Sequence, residues 1–182
     1  MITVAGGDSF VWGSELADSL HGGPGGWSNN TFPALLSGDG YRCAAYPGFG
    51  NRDIANSVVV SCRGFNPDMV IVCWTWATRD NELDSDQHII QLQEFLDKRN
   101  IAYLFTCADN CIITGNLDYS NWFMFPPANE SWNTLEPRGF YQWAVENKYN
   151  VGPDNHPLEQ AHLDASKLMQ GKFNELVKKH IQ

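Results

Sequence analysis

Four stretches of the chain are almost wholly apolar, and the segments between them carry apolar residues at helical spacing. Residues 2–5 (ITVA) form a short run that ends in Gly6-Gly7, and residues 41–46 (YRCAAY) form a second, closed by Pro47-Gly48. Residues 69–74 (MVIVCW) are the most continuous, the pattern of a central parallel strand buried on both faces. Residues 101–107 (IAYLFTC) are a fourth strand candidate. Among the helices, residues 52–63 place Ile54, Val58 and Cys62 four apart, with Gly64 as the expected C′ residue. Residues 86–98 set Ile89, Leu92, Phe95 and Leu96 on one face, with Lys98 and Arg99 near the negative end of the helix dipole. From Leu158 onward, Ala161, Ala165, Leu168, Met169, Leu176 and Val177 trace a stripe, and Gly171 weakens its middle by about 1 kcal/mol relative to alanine. This alternation predicts an α/β domain, a three-layer α/β/α sandwich with a mainly parallel central sheet.

Two stretches depart from a minimal α/β unit. Residues 22–26 (GGPGG), followed by Trp27-Ser28-Asn29-Asn30, have the composition of a surface loop. Residues 112–137 contain Trp122, Phe123, Phe125, Pro126, Pro127 and Trp132, too aromatic for a solvated linker and too long for a plain connection. The segment reads either as a lid or pocket wall, or as an irregular cap on the core. At 182 residues the chain has the length of one domain, with this segment as an insertion.

Charge and cysteine content narrow the class further. Asp and Glu number 21 against 12 Lys and Arg, a formal charge of −9, which repels nucleic acid and anionic membranes as partners. The apolar runs fall far short of the ~20 residues of a membrane span. Met1 leads straight into the first apolar run without a basic start or cleavage region, so the expected compartment is the cytoplasm. Five cysteines, an odd number, with Cys43 and Cys73 inside apolar runs, read as reduced thiols. Cys107 and Cys111 lack a second Cys/His pair at zinc-site spacing, so no metal is implied.

Candidate chemistry sits at the two ends of the chain. Gly6-Gly7-Asp8-Ser9-Phe10 follows the first strand directly, which places Ser9 on the edge where parallel sheets hold ligands. Gly7 leaves room for the chain to turn and for a substrate to approach. Near the other end, Gly152-Pro153-Asp154-Asn155-His156-Pro157 precedes the last helix. A serine hydroxyl becomes a nucleophile when a histidine takes its proton, and a carboxylate that fixes the histidine tautomer completes the device. Asp154 and His156 in a proline-bracketed loop are candidates for those two roles. His162 reads as a packed or capping histidine.

Together these ends resemble the SGNH hydrolases, the GDSL esterase family, which set a catalytic Ser in Gly-Asp-Ser after strand one and Asp and His before the last helix. The resemblance spans the whole chain through the order of strands and motifs; Gly7-Asp8-Ser9 and Asp154-Asn155-His156-Pro157 carry most of it. It implies Ser9 as nucleophile, His156 as general base, Asp154 as its orienting acid, and a Gly and an Asn in the oxyanion hole. The glycine falls in Gly48-Phe49-Gly50-Asn51, where Gly50 is the choice and Gly48 and Asn51 are competing alignments. After strand three the family has Gly-x-Asn-Asp, whereas this chain reads Cys73-Trp74-Thr75-Trp76, with Thr75 in the Asn register and Arg79 a turn downstream as an alternative source of positive charge. Asp154 and His156 are also one residue closer than the family's usual Asp-x-x-His. Compact variants with a Trp-Thr segment and a His-Pro-x-x-x-Ala-His ending are similar to those in some tailed-phage genomes.

The resemblance implies a serine esterase that needs no cofactor, with Asn51, Trp74, Trp76 and Arg79 as candidate substrate contacts. Trp12, Trp27, Trp74, Trp76, Trp122 and Trp132 fall in or beside loops expected at the catalytic edge, and exposed tryptophans stack on sugars, so an O-acetylated carbohydrate is the expected substrate; core packing is the competing reading. The alternative for the whole chain is a catalytically quiet member that binds a glycan or a protein. A nucleotide binder is disfavoured, because the Gly-rich residues 22–26 lack both a Lys and a following helical pattern.

Overall fold

The computed structural model describes residues 1–19, 26–80, 82–128 and 136–181. The four apolar runs become strands β1 (Thr3–Gly6), β2 (Tyr41–Cys43), β3 (Met69–Trp74) and β4 (Ala102–Cys107). They form one sheet in the order β2-β1-β3-β4. All pairings are parallel, with Thr3 opposite Tyr41 and Met69, and Met69 opposite Ala102. Every residue of β1, β3 and β4 is buried, as continuous apolar runs require when helices cover both faces.

The helices are α1 (Ser9–Trp12), α2 (Phe32–Ser37), α3 (Asn51–Phe65), α4 (Glu82–Lys98), α5 (Phe140–Glu146) and α6 (Glu159–Ile181). Helices α3 and α4 cover one face, where Ile54, Val58, Ile89 and Leu92 meet Val4, Val70, Val72 and Phe105. Helices α2, α5 and α6 cover the other, where Phe32, Phe140, Ala161, Ala165 and Met169 meet Ala5, Ile71 and Leu104. The result is the three-layer sandwich the pattern predicts.

Details differ from the sequence reading for identifiable reasons. Helix α3 runs through Gly64 and ends at Asn66, whose left-handed φ of 45° lets its N–H reach Cys62 O at 3.0 Å. Asparagine tolerates that conformation, so the expected glycine stop is not used. Leu168, expected on the buried stripe of α6, is 44% exposed. Helices α2 and α5 span only six and seven residues, too short for a helical period to register in the sequence. The expected surface loop at residues 22–25 lies outside the described residues, as does Trp132.

Within residues 112–137, Ile112, Leu117, Trp122 and Phe125 are buried in the core, while Asn116, Asp118, Pro126 and Glu136 are exposed. Phe105 donates to Asn121 O at 2.9 Å, and Phe123 donates to Phe105 O at 2.8 Å, so the chain runs along the outer edge of β4 and covers it. From there Trp122 packs on Phe105 on one side of the sheet and Phe125 stacks on Trp143 on the other. All five thiols are free; Cys62, Cys73 and Cys107 are buried and Cys111 is exposed. Among the described residues no helix is long and apolar enough to cross a membrane.

Candidate active site

The carboxyl end of β1 opens where strand order reverses between β1 and β3, the crevice in which open parallel sheets bind ligands. Two glycines bring the chain there. A Cβ on Gly6 would lie 2.3 Å from Val58 Cγ2 of α3, and one on Gly7 would lie 2.4 Å from Val11 Cγ2 of α1. Gly7 is therefore required by the packing of α1 against the strand, a more specific reason than the free space expected from the sequence. Asp8 caps α1, with Oδ1 accepting the Phe10 N–H at 3.0 Å. Ser9 is the first residue of that helix, and its hydroxyl makes no hydrogen bond among the described residues.

His156 reaches the same edge on a closed loop. Val151 pairs with Pro157, Gly152 donates to His156 O at 2.9 Å, and Asn155 donates to Gly152 O at 3.0 Å with a left-handed φ of 63°. The imidazole packs edge-on against Phe10, the neighbour of Ser9, with ring centroids 5.5 Å apart. Its Nδ1 lies 2.6 Å from Oε2 of Glu15, and the two side chains are 16% and 11% exposed. The same carboxylate accepts the backbone N–H groups of Asp154, at 3.0 Å, and His156, at 3.3 Å. Burial pushes the Glu15 carboxyl up, but the hydrogen bonds from Asp154 and His156 outweigh it and hold the group below its ordinary value.

Glu15 is the residue that sequence reasoning missed, and its position corrects the expectation for Asp154. The Asp154 side chain is exposed, forms no hydrogen bond among the described residues, and contributes to this cluster only through its backbone N–H. With one residue between them and Asn155 in a left-handed turn, the N–H groups of Asp154 and His156 converge on a carboxylate from another part of the chain. The motif gave no hint of this, because Glu15 stands 141 residues away from His156.

His162 lies beneath this loop. Its Nδ1 accepts the Phe32 N–H at 3.2 Å, and its ring is hydrogen-bonded to the Pro157 backbone. Complete burial drives its pKa down to about 3, so it is a neutral strut between α2, α6 and the His156 loop.

The corner at the end of β3 is arranged differently. Thr75 is fully buried, and its hydroxyl donates to Asp8 Oδ2 at 2.7 Å, so its proton is already committed. Asn51 is equally buried: its Oδ1 accepts the Thr75 N–H at 2.9 Å, and its Nδ2 donates to Thr75 O at 3.3 Å and Ser85 Oγ at 3.1 Å. Neither side chain is free to meet a substrate, which corrects the expectations for both. Arg79 Nη1 lies 3.3 Å from Asp8 Oδ2 and donates to Phe49 O at 3.3 Å, with its guanidinium 5.6 Å from the Trp76 ring. Gly50 is the N-cap of α3, and a Cβ there would fall 2.4 Å from Asp80 Oδ1; Asp80 Oδ2 in turn accepts the Arg52 N–H at 3.1 Å.

Trp74, a candidate substrate contact, is 0% exposed and packs on Phe105 inside the core, so that assignment fails. Strand alternation turns it into the α3/α4 layer. Trp12 and Trp122 are also buried. Trp76 is partly exposed and forms an aromatic cluster with Phe10 and Tyr141. On another side, Trp12 meets Trp27 and the half-exposed Tyr46.

An all-parallel sheet in this order, sheathed by helices on both faces, with a Gly-Asp-Ser turn after β1 and a histidine loop before the last helix, is the fold of the SGNH hydrolases, the GDSL lipolytic esterases and acylhydrolases. Solved structures place the chain within it. Axe2, an acetylxylan esterase from Geobacillus stearothermophilus, superposes with a TM-score of 0.62 at 12% identity over 94% of this chain and 93% of its own. The psychrotrophic esterase EstA from Pseudoalteromonas sp. gives 0.61 at 12% identity, covering 98% and 97%. A lipolytic protein of the G-D-S-L family from Desulfitobacterium hafniense DCB-2 gives 0.52 at 16% identity, covering 93% and 98%. No family model matches the sequence, and no curated protein is significantly similar to it.

Proposed function

We propose that the protein hydrolyses a carboxylic ester through an acyl-enzyme on Ser9, with His156 as general base. The observation that supports this reading is a serine hydroxyl without a hydrogen bond among the described residues at the start of α1, next to Phe10, whose ring packs on a histidine with its Nδ1 anchored on a carboxylate. An Nδ1–H donated to an ionised carboxylate leaves the Nε2 lone pair to take a proton. His156 removes the Ser9 proton as Oγ adds to the ester carbonyl; the tetrahedral intermediate then expels the alcohol oxygen, which takes the proton back. Water repeats the sequence and releases the acid. The backbone N–H groups of Ser9 and Gly50 receive the oxyanion, with no donor from Thr75.

The substrate class in this proposal is a small acyl ester, such as acetate, on a carbohydrate. Trp76 and Tyr141 are partly exposed aromatics of a kind that stacks on sugar rings, and Axe2, of the same fold, is an acetylxylan esterase. A second reading, a catalytically quiet binder of a glycan or protein, draws support from the committed Thr75 hydroxyl, since losing one oxyanion donor costs roughly 100- to 1,000-fold in rate. Hydrolysis of p-nitrophenyl acetate by the protein and by Ser9→Ala separates the two. The hydrolase reading predicts turnover that falls at least ~1,000-fold in the variant with the melting temperature unchanged within a few degrees. Equal rates, or none from the folded protein, would leave the binder.

A further inference from the structure

We propose that Glu15, and not the Asp154 of the Asp-x-His motif, is the acid that positions His156 for catalysis, so that nucleophile and acid lie six residues apart on one segment while the base arrives from the far end of the chain. This rests on the hydrolase reading of Ser9 and His156.

The loop geometry identifies an anion. Backbone N–H groups of residues 154 and 156 and the ring Nδ1 all point at one carboxylate, at 3.0, 3.3 and 2.6 Å. Successive N–H groups around a left-handed residue form a concavity that binds anions, and here Asn155 supplies the left-handed turn. Glu15 fills that concavity. Its own φ of 68° is the left-handed region, an uncommon state for a glutamate, which the surrounding contacts hold in place. Gly152 makes room for it: a Cβ there would lie 2.6 Å from the Glu15 carboxylate. A second tie runs beside the first, where Glu159 Oε1 of α6 accepts the Ala17 N–H at 2.8 Å. The segment after Ser9 is thus fastened to the histidine loop at two points, and the acid that sets the tautomer also sets the distance between nucleophile and base.

Several groups face this contact. Phe10 lies against the imidazole ring, and the exposed Asp154 side chain stands on the loop's outer side, leaving Glu15 as the charged partner of His156 among the described residues. Burial pushes the Glu15 carboxyl up, and the hydrogen bonds from Asp154 and His156 outweigh it, so Glu15 stays ionised at neutral pH.

The test compares the wild type with Glu15→Gln, Asp154→Asn and Gly152→Ala, each checked for folding by its melting temperature. Glu15→Gln keeps the size of the side chain but lets the ring adopt the wrong tautomer, so kcat for p-nitrophenyl acetate should fall about 100- to 10,000-fold with KM little changed. Asp154→Asn should stay within about twofold. Gly152→Ala, which removes no titratable group, should also lower kcat, because its Cβ would displace the Glu15 carboxylate. The spectroscopic readout is the far-downfield proton of His156 Nδ1–H, observed with ring-15N-labelled histidine: present in the wild type and Asp154→Asn, absent in Glu15→Gln. Loss of that proton and of activity in Asp154→Asn with Glu15→Gln unaffected would overturn the assignment. If the wild type shows no Ser9-dependent turnover, the hydrolase reading falls, and the ring proton still decides between Glu15 and Asp154 as the partner of His156.

Discussion

Two corners of the same sheet edge spend their polar groups in opposite ways. Where the segment after β1 meets the 152–157 loop, hydrogen bonds converge on a carboxylate and a histidine and stop short of Ser9, whose hydroxyl is uncommitted among the described residues. At the end of β3, Thr75, Asn51, Asp8 and Arg79 satisfy one another. The first corner leaves a hydroxyl without a hydrogen-bond partner among the described residues; the second is a clamp, buried at Thr75, Asn51 and Asp8, that fixes the β3 turn against the α1 cap. Register in a motif therefore says little about availability. The sequence resemblance puts Thr75 in the register of an oxyanion donor, yet its hydroxyl proton is donated to Asp8.

The contrast is open to attack, beginning where the largest effect is expected. His162 binds a proton near 6.5 when unfolded but only near 3 when folded. Between those values the unfolded chain binds more protons, so stability is highest above 6.5 and falls as pH drops, by up to about 1.4 kcal/mol per pH unit. Denaturation followed from pH 7 to 5, above the range of most carboxylates, should show this slope, and His162→Asn should remove most of it. A slope unchanged by the substitution would mean that the histidine beneath the 152–157 loop is not buried and neutral.

An effect of similar size is expected at the clamp. Thr75→Val removes the hydroxyl donated to Asp8 and should cost about 1–3 kcal/mol in urea unfolding. Its kcat should change by less than about tenfold, because the hydroxyl is not offered to the oxyanion. A drop of 100-fold at preserved stability would return Thr75 to the oxyanion hole. Smallest should be Trp76→Ala, expected to raise KM for an acetylated xylo-oligosaccharide a few-fold while leaving p-nitrophenyl acetate KM nearly unchanged. Equal changes for both esters would remove the sugar-stacking role.

How far the sequence could be read follows from the range of each interaction. Strands β3 and β4 were legible to within a residue because burial on both faces leaves a continuous apolar run. Long helices were legible through their stripes, whereas α2 and α5 were too short to show one. Ser9 and His156 stand in local motifs, and the fold brings them to one edge of the sheet. Glu15 was hidden because nothing local marks it; its meaning arises only when the 152–157 loop closes around its carboxylate. Trp74 and Asn51 were misread for a related reason: each sits near the carboxyl edge of the sheet in sequence, but strand alternation and the Thr75 pairing turn them inward.

The most direct test of the account is covalent labelling with a fluorophosphonate, read by intact mass and then mapped to a residue. A single adduct on Ser9 in the wild type, absent in Ser9→Ala and strongly slowed in His156→Ala, is the predicted result. An adduct elsewhere, or equal labelling of Ser9 without His156, would contradict the assembly of nucleophile and base at this edge.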